Sequence, residues 1–351
     1  MAIKEEDLHK IRKELEESSR PLFFFDDDPD GLSSFLLFYR FSKEGKGIVV
    51  KATPELTTMF SPKVKEYEPD KIFILDKPDV NQDFIDDAKT KIIWIDHHEP
   101  KKRQNVSYYN PRIDNDRDNR PTSYWCYKVV EQDMWIAMVG IVGDWFIPDF
   151  ADKFSEKYPD LLPPEIRKPE EALYKTEIGR LARIFSFILK GRSSDALACV
   201  KVLTRIESPY EILRQETPAG KFIYKKYTNV SLEYDKLFSA AKKAGEGNSP
   251  FLVYTYSENR MSFTGDLSNE LLFAFPQKII IVGREKSGEM KCSLRSADVK
   301  LEPMLKKAME GVEGYGGGHE MACGACVKDQ DWKKFLEQLR VAYDEALEKK
   351  Q

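Results

Sequence analysis

Three short apolar runs in the N-terminal part of the chain, at 21–25, 71–75 and 91–95, each end directly in an aspartate: Asp26, Asp76 and Asp96. Short runs rich in Ile, Val and Phe read as strands buried on both faces. A further run at 48–52 lacks the acidic ending, and helix-like stretches such as 32–41 lie between the runs. Strands alternating with helices predict a parallel sheet with helices on both faces, and ligands of such sheets sit beyond the carboxyl ends of the strands. A longer apolar stretch, Met134–Gly143, ends in Asp144. Four elements are therefore expected to deliver carboxylates or imidazoles to one edge of one sheet.

The first of these endings is Asp26-Asp27-Asp28-Pro29-Asp30-Gly31-Leu32-Ser33-Ser34, with four carboxylates in five residues. Such a cluster repels itself unless cations screen it. Alone it would read as a solvated turn or a helix cap, where Asp favours the positive end of the following helix. Its position straight after a strand, with Gly31 and two serines allowing close packing, favours a cation site. Histidine is scarce, at 9, 97, 98 and 319, yet two of the four are adjacent in Asp96-His97-His98. Imidazole is the commonest protein metal ligand, and a neighbouring carboxylate fixes its tautomer. The pair therefore reads as one ligand plus one phosphate contact or proton donor rather than two incidental loop residues. Asp76 and Asp144 taken singly would be turn residues; their weight comes from the set.

Beyond a Pro-rich segment at 159–169 the pattern is mainly helical, with amphipathic stretches at 176–189 and 231–244. Strand signals return at 251–256, 278–283 and 289–295, followed by a glycine-rich turn at 314–319, an apolar run at 321–327 and a closing helix at 331–347. The expected organisation is a catalytic domain over 1–150, a helical connector over 151–247 and a smaller α/β domain over 248–351. Gly316, Gly317 and Gly318 lack a Cβ, so backbone N–H groups there can approach an anion closely. With His319 following and the forked guanidinium of Arg295 upstream, the loop reads as a phosphate anchor instead of a plain turn. Ordinary packing is expected of Tyr315 ahead of stacking on a base. Residues 110–112 and 117–123 read as a solvated loop in which Thr122 or Ser123 caps a helix.

Composition narrows the partners. The chain has 351 residues, 55 basic and 59 acidic, for a net charge of −4. That is not a nucleic-acid-coating protein, so a bound polynucleotide would need a local groove assisted by metal ions. Five cysteines, at 126, 199, 292, 323 and 326, make no disulfide framework. Cys323 and Cys326 form a lone C-x-x-C among small apolar residues and read as a buried strand, since no second pair completes four zinc ligands. The charged N-terminus lacks an apolar signal core and no stretch approaches a membrane span, so a soluble, cytoplasmic protein with no membrane partner is expected.

The D-x-D-x-D-G at 26–31, the isolated Asp76, Asp96-His97-His98 and Gly143-Asp144 resemble, in order, the four motifs of the DHH phosphoesterase superfamily. Gly316-Gly317-Gly318-His319, with Ser293-Leu294-Arg295-Ser296 upstream, resembles its DHHA1 substrate-binding domain. The likeness runs from about residue 20 to about residue 330 and looks most like archaeal RecJ-like exonucleases; small-substrate branches usually carry His, Asn and Pro in the first motif. The resemblance implies a parallel-sheet DHH domain plus a smaller α/β DHHA1 domain joined by a helical connector. It also implies two Mn²⁺ ions, with Mg²⁺ an alternative. Asp28 and Asp26 would hold one, Asp30, His97 and Asp144 the other, and Asp76 would bridge them. Asp96 would orient a histidine and His98 would face the scissile phosphate, so Asp96, His97 and His98 form the catalytic group. Arg295, Ser296, Gly316, Gly317, Gly318 and His319 would bind substrate. The implied activity is exonucleolytic cleavage of single-stranded DNA or RNA, with replication or repair proteins as further partners. Two alternatives stand beside it: a phosphodiesterase for short oligoribonucleotides, 3′-phosphoadenosine phosphate or a cyclic dinucleotide, and an inactive replisome scaffold.

Overall fold

Side chains alternate across a strand, so a strand covered on both faces feeds two cores at once. Phe23, Phe25, Phe73, Leu75, Ile93 and Ile95 enter one core, and Leu22, Phe24, Ile72, Ile74, Ile92 and Trp94 enter another. All twelve are essentially without solvent contact, and full burial of one such side chain stabilises by roughly 1.5–3 kcal/mol. The computed structural model describes residues 3–51, 55–257 and 261–348. It divides into two units, Met1–Thr228 and Asn229–Gln351.

The first unit contains β1 (Pro21–Asp26), β2 (Lys46–Val50), β3 (Glu55–Leu56), β4 (Lys71–Leu75), β5 (Asp79–Val80), β6 (Lys91–Ile95) and β7 (Ser107–Tyr109). Five of them form a parallel sheet in the order β2-β1-β4-β6-β7, while β3 and β5 pair apart from it. The winding reverses at β1, which places a crevice at the carboxyl ends of β1 and β4. Register is in step across the three central strands: Phe25 lies beside Leu75, and Leu75 beside Ile95. The next residue of each strand, Asp26, Asp76 and Asp96, therefore falls in a single row. Ala52, the end of the second apolar run, lies outside the described residues.

Two expectations are corrected. Met134–Gly143, grouped above with the sheet-edge elements, is a helix buried on every side save its last residue. Its ten residues pass through the core without a turn signal, and an apolar run of that length fits a buried helix as well as a strand. It still delivers Asp144, from a helix C-terminus. The glycine-rich segment Gly314–His319 is an edge strand rather than a turn.

The segment after Ala151 is helical, and its helices share the first unit's core. The helix Glu177–Ile188 is capped by Thr176, whose side chain accepts from the Gly179 N–H, and its apolar face (Ile178, Leu181, Ile184, Phe185) is buried there. The second unit carries β8 (Phe251–Tyr256), β9 (Ile279–Lys286), β10 (Glu289–Arg295), β11 (Gly314–His319) and β12 (Ala322–Lys328) in the order β11-β12-β10-β9-β8. Pairing is antiparallel except between β8 and β9. The helices Leu301–Ala308 and Trp332–Glu348 contribute to its core. Cys323 and Cys326 are both buried within β12, as a buried strand requires. No helix among the described residues is long and apolar enough to cross a membrane.

Candidate metal centre

The carboxyl ends of β1, β4 and β6 and three helix termini meet at one place. Asp26 closes β1, and Asp28 caps the helix Pro29–Ser42 by accepting from the Gly31 N–H at 2.9 Å. A Cβ on Gly31 would lie 2.7 Å from both the N and the O of Asp26, so only glycine lets this helix start so close to the strand. Asp30, in the first turn of the helix, is buried and accepts from the backbone N–H groups of Thr122 and Ser123, each at 2.8 Å, and from the Ser123 hydroxyl. It thereby supplies from 92 residues away the cap that Pro121 cannot give to the helix Thr122–Val130.

Asp76 is 1% exposed and sits at φ +60°, a left-handed conformation that aspartate tolerates better than most residues but that still costs about 1 kcal/mol. One carboxylate oxygen accepts from the Thr122 hydroxyl at 3.2 Å, whereas the other, Oδ2, is buried with no hydrogen-bond partner among the described residues. Such an orphaned oxygen forfeits its hydration without recompense. His97 Nε2 lies 3.4 Å from Asp76 and 3.5 Å from Asp144. Among the described residues, three trios have ligand atoms within 4.8 Å of one another: Asp26, Asp28 and Asp76; Asp30, His97 and Asp144; Asp76, His97 and His98. The structure thus brings together every acidic and histidine residue expected at the metal pair.

Electrostatics mark the same spot. Burial, then the charges of Asp26 and Asp30, push the Asp28 carboxyl up to about 7. Asp76 and Asp144 are raised well above the ordinary carboxylate range, by burial first and by Asp30 and Asp28 next. Burial lowers His97, keeping it neutral, the state in which imidazole binds a metal. Burial opposes charge on His98 as well, but the bond and charge of Asp96 outweigh it and raise that ring. Crowded carboxylates, one orphaned oxygen and a neutral imidazole fit divalent cations, which the donor types would bind through oxygen and nitrogen.

Asp96 does not join the trios. It is fully buried, receives the His98 ring Nδ1 at 2.7 Å and the His98 N–H at 3.1 Å, and is held by the Asn110 amide at 3.1 Å and the Tyr108 hydroxyl at 3.3 Å. Its service is to orient His98. Residues that sequence reasoning undervalued appear here. Thr122 and Ser123 clamp two carboxylates rather than merely capping a helix, and Asn110 is a buried brace rather than a solvated loop residue. Lys77, not anticipated at all, is fully buried with Nζ 2.9 Å from Asp26 Oδ1. Its one signal in the sequence was a cation set directly after the strand-end Asp76.

The substrate-binding candidates lie in the second unit. The register places Arg295, Ala322 and His319 in one row across β10, β12 and β11, and Ser293, Gly324 and Gly317 two rows along. Arg295 donates to the Asn269 side chain at 2.7 Å and to the Leu294 carbonyl at 2.9 Å. His319 and Gly316 to Gly318 are exposed. Gly314 and Gly318 need glycine for their backbone, but a Cβ on Gly317 would touch nothing within 4 Å and its φ is ordinary. Ser296 is buried and its hydroxyl accepts from the Val299 N–H at 3.0 Å, closing a turn. Tyr315, expected to pack, is 70% exposed on edge strand β11.

Residues 22–152 match the family model for the DHH family, N-terminal domain, and residues 248–349 match the model for the DHHA1 domain. No curated protein sequence matches. Among solved structures, RecJ from Thermus thermophilus in complex with Mn²⁺ superposes over 96% of this chain with a TM-score of 0.67 and 16% identity. The chain spans only 55% of that protein's length. An exonuclease RecJ bound to manganese matches over 98% of this chain and 95% of its own, with a TM-score of 0.64 and 15% identity. A Vibrio pGpG-specific phosphodiesterase matches over 93% and 99%, with a TM-score of 0.52 and 11% identity. At these identities the likeness is one of fold.

Proposed function

Since the chain belongs to the DHH family and carries a DHHA1 domain, we propose that it is a metal-dependent phosphodiesterase that degrades single-stranded DNA or RNA from an end. Asp30, His97 and Asp144 would hold one divalent ion, Asp28 the other with Asp26 at its side, and Asp76, a member of two trios, would bridge them. Mn²⁺ is the ion named for two RecJ structures and Mg²⁺ for a third, and the oxygen-rich donor set suits either. When bound, such a pair supplies a water of lowered pKa and positive charge for the phosphate oxygens.

The chain's own residues do the rest. Thr122 and Ser123 fix the carboxylates of Asp30 and Asp76 before substrate arrives. Asp96 fixes Nδ1 of His98, which leaves Nε2 for a phosphate oxygen and favours the protonated ring that donates to it. Arg295 and His319 would anchor a substrate phosphate, with the bare Gly317 backbone beside them admitting it closely. Gly317 supports that reading because nothing in the fold requires glycine there.

The observation that carries the proposal is the orphaned, buried Oδ2 of Asp76 at the meeting point of the trios. Oligonucleotides of several lengths, labelled at either end, should be shortened stepwise from one end in Mn²⁺ by wild type and not by His97→Ala. Activity that vanishes beyond a few nucleotides would move the assignment to a small-substrate phosphodiesterase. Equal behaviour of the two proteins would remove the reading.

A further inference from the structure

Lys77 leaves β4 one residue after Asp76. Its side chain is 0% exposed, its Nζ lies 2.9 Å from Asp26 Oδ1, and its carbonyl accepts from the Trp94 indole at 2.9 Å. The Trp94 ring is itself stacked on Tyr108 at 3.9 Å, so the lysine backbone is fixed by the core of the sheet. A buried ammonium persists only where an opposite charge offsets its lost hydration, and Asp26 provides that charge. The same Asp26 oxygen also accepts from the Asp27 N–H at 2.9 Å.

The two carboxylate trios are unequal in this respect. Asp30, His97 and Asp144 are fixed by neutral backbone and hydroxyl donors and by one another. The trio of Asp26, Asp28 and Asp76 has no histidine, and one of its three acids is tied to an internal cation. We infer that Lys77 is a resident counter-cation of the centre: it withholds Asp26 from the ligand set, so that the two divalent ions bind with unequal strength. The inference rests on the metal-centre reading above and deepens it.

The physical consequence follows from charge alone. With Asp26 engaged, the second position keeps Asp28 and shares Asp76, and it faces an ammonium of like sign across the half-buried Asp26 carboxylate. Like charges a few ångströms apart in a partly buried site disfavour each other strongly enough to weaken binding by about tenfold or more. One ion then belongs to the resting protein. The other is retained mainly when a substrate phosphate adds negative charge, which couples completion of the centre to substrate arrival.

Titration of the metal-free full chain with Mn²⁺, followed by calorimetry and by the free-ion electron spin resonance signal, tests this without an activity assay. Wild type should show one tight ion and a second about tenfold weaker or more. Lys77→Met should tighten the second ion and leave the first unchanged. Lys77→Met combined with Asp26→Asn should fall back to the wild-type gap or below, because the acid released by the first change is gone. Two equally tight ions in wild type, or a second ion unaltered or weakened in Lys77→Met, would overturn the inference while leaving the metal centre standing. No ion in wild type would overturn both. Should Lys77→Met fail to fold, wild-type crystals soaked in Mn²⁺ decide: anomalous density with Asp26 on Lys77 supports the inference, and Asp26 directly coordinating manganese sinks it.

Discussion

At the scale of single residues, the centre is a set of acids that cannot all be charged without help. Asp28 shows this most plainly. Its carboxyl, ordinarily near 3.8, is held up to about 7 by burial and by Asp26 and Asp30. Between those values the folded, metal-free chain keeps a proton that the unfolded chain has released, so this group's contribution to stability falls as pH rises through the window. Thermal unfolding in chelator should therefore show wild type losing ground to Asp28→Asn between about pH 4 and about pH 7, by on the order of 1 kcal/mol or more. Saturating Mn²⁺ should reverse the order; a difference that ignores pH would contradict the account. The acids and His97 were legible in the sequence because each sits at a local landmark, the end of an apolar run. Thr122, Ser123 and Lys77 were not, because their roles are set by partners 46 to 93 residues distant, and nothing local distinguishes a clamping serine from a capping one.

At the scale of elements, two glycines separate what folding demands from what a ligand demands. Gly31 lets the helix Pro29–Ser42 begin against β1, and a Cβ there would meet backbone atoms at 2.7 Å. Gly31→Ala should cost about 1–3 kcal/mol in chemical denaturation and weaken Mn²⁺ binding in parallel, as the helix start carrying Asp28 and Asp30 is pushed off. Gly317→Ala meets open space, so its denaturation midpoint should match wild type while oligonucleotide binding weakens. A destabilised Gly317→Ala would mean that the glycine serves the fold after all. Strands were the elements most readable from sequence: 251–256 and 289–295 recur residue for residue as β8 and β10. Met134–Gly143 resisted because its burial all round erases the periodicity that tells helix from strand, and Gly314–His319 because glycines that usually mark turns here make an edge strand.

At the scale of the whole molecule, all the candidate metal residues lie in the first unit, whose core draws on residues as far along as Ile223. A chain ending after the helix Pro218–Ala244 should therefore fold and bind Mn²⁺ as the full chain does, yet fail to cleave oligonucleotides, having lost Arg295 and His319. Loss of metal binding on truncation would show that the first unit depends on the second. The in-step ends of β1, β4 and β6 carry one more consequence. Deleting a single residue inside any of these strands would send its terminal aspartate to the opposite side of the sheet and exchange its outer and inner apolar sets. Changes in chain length are thus excluded from these three strands, which can change only by substitution.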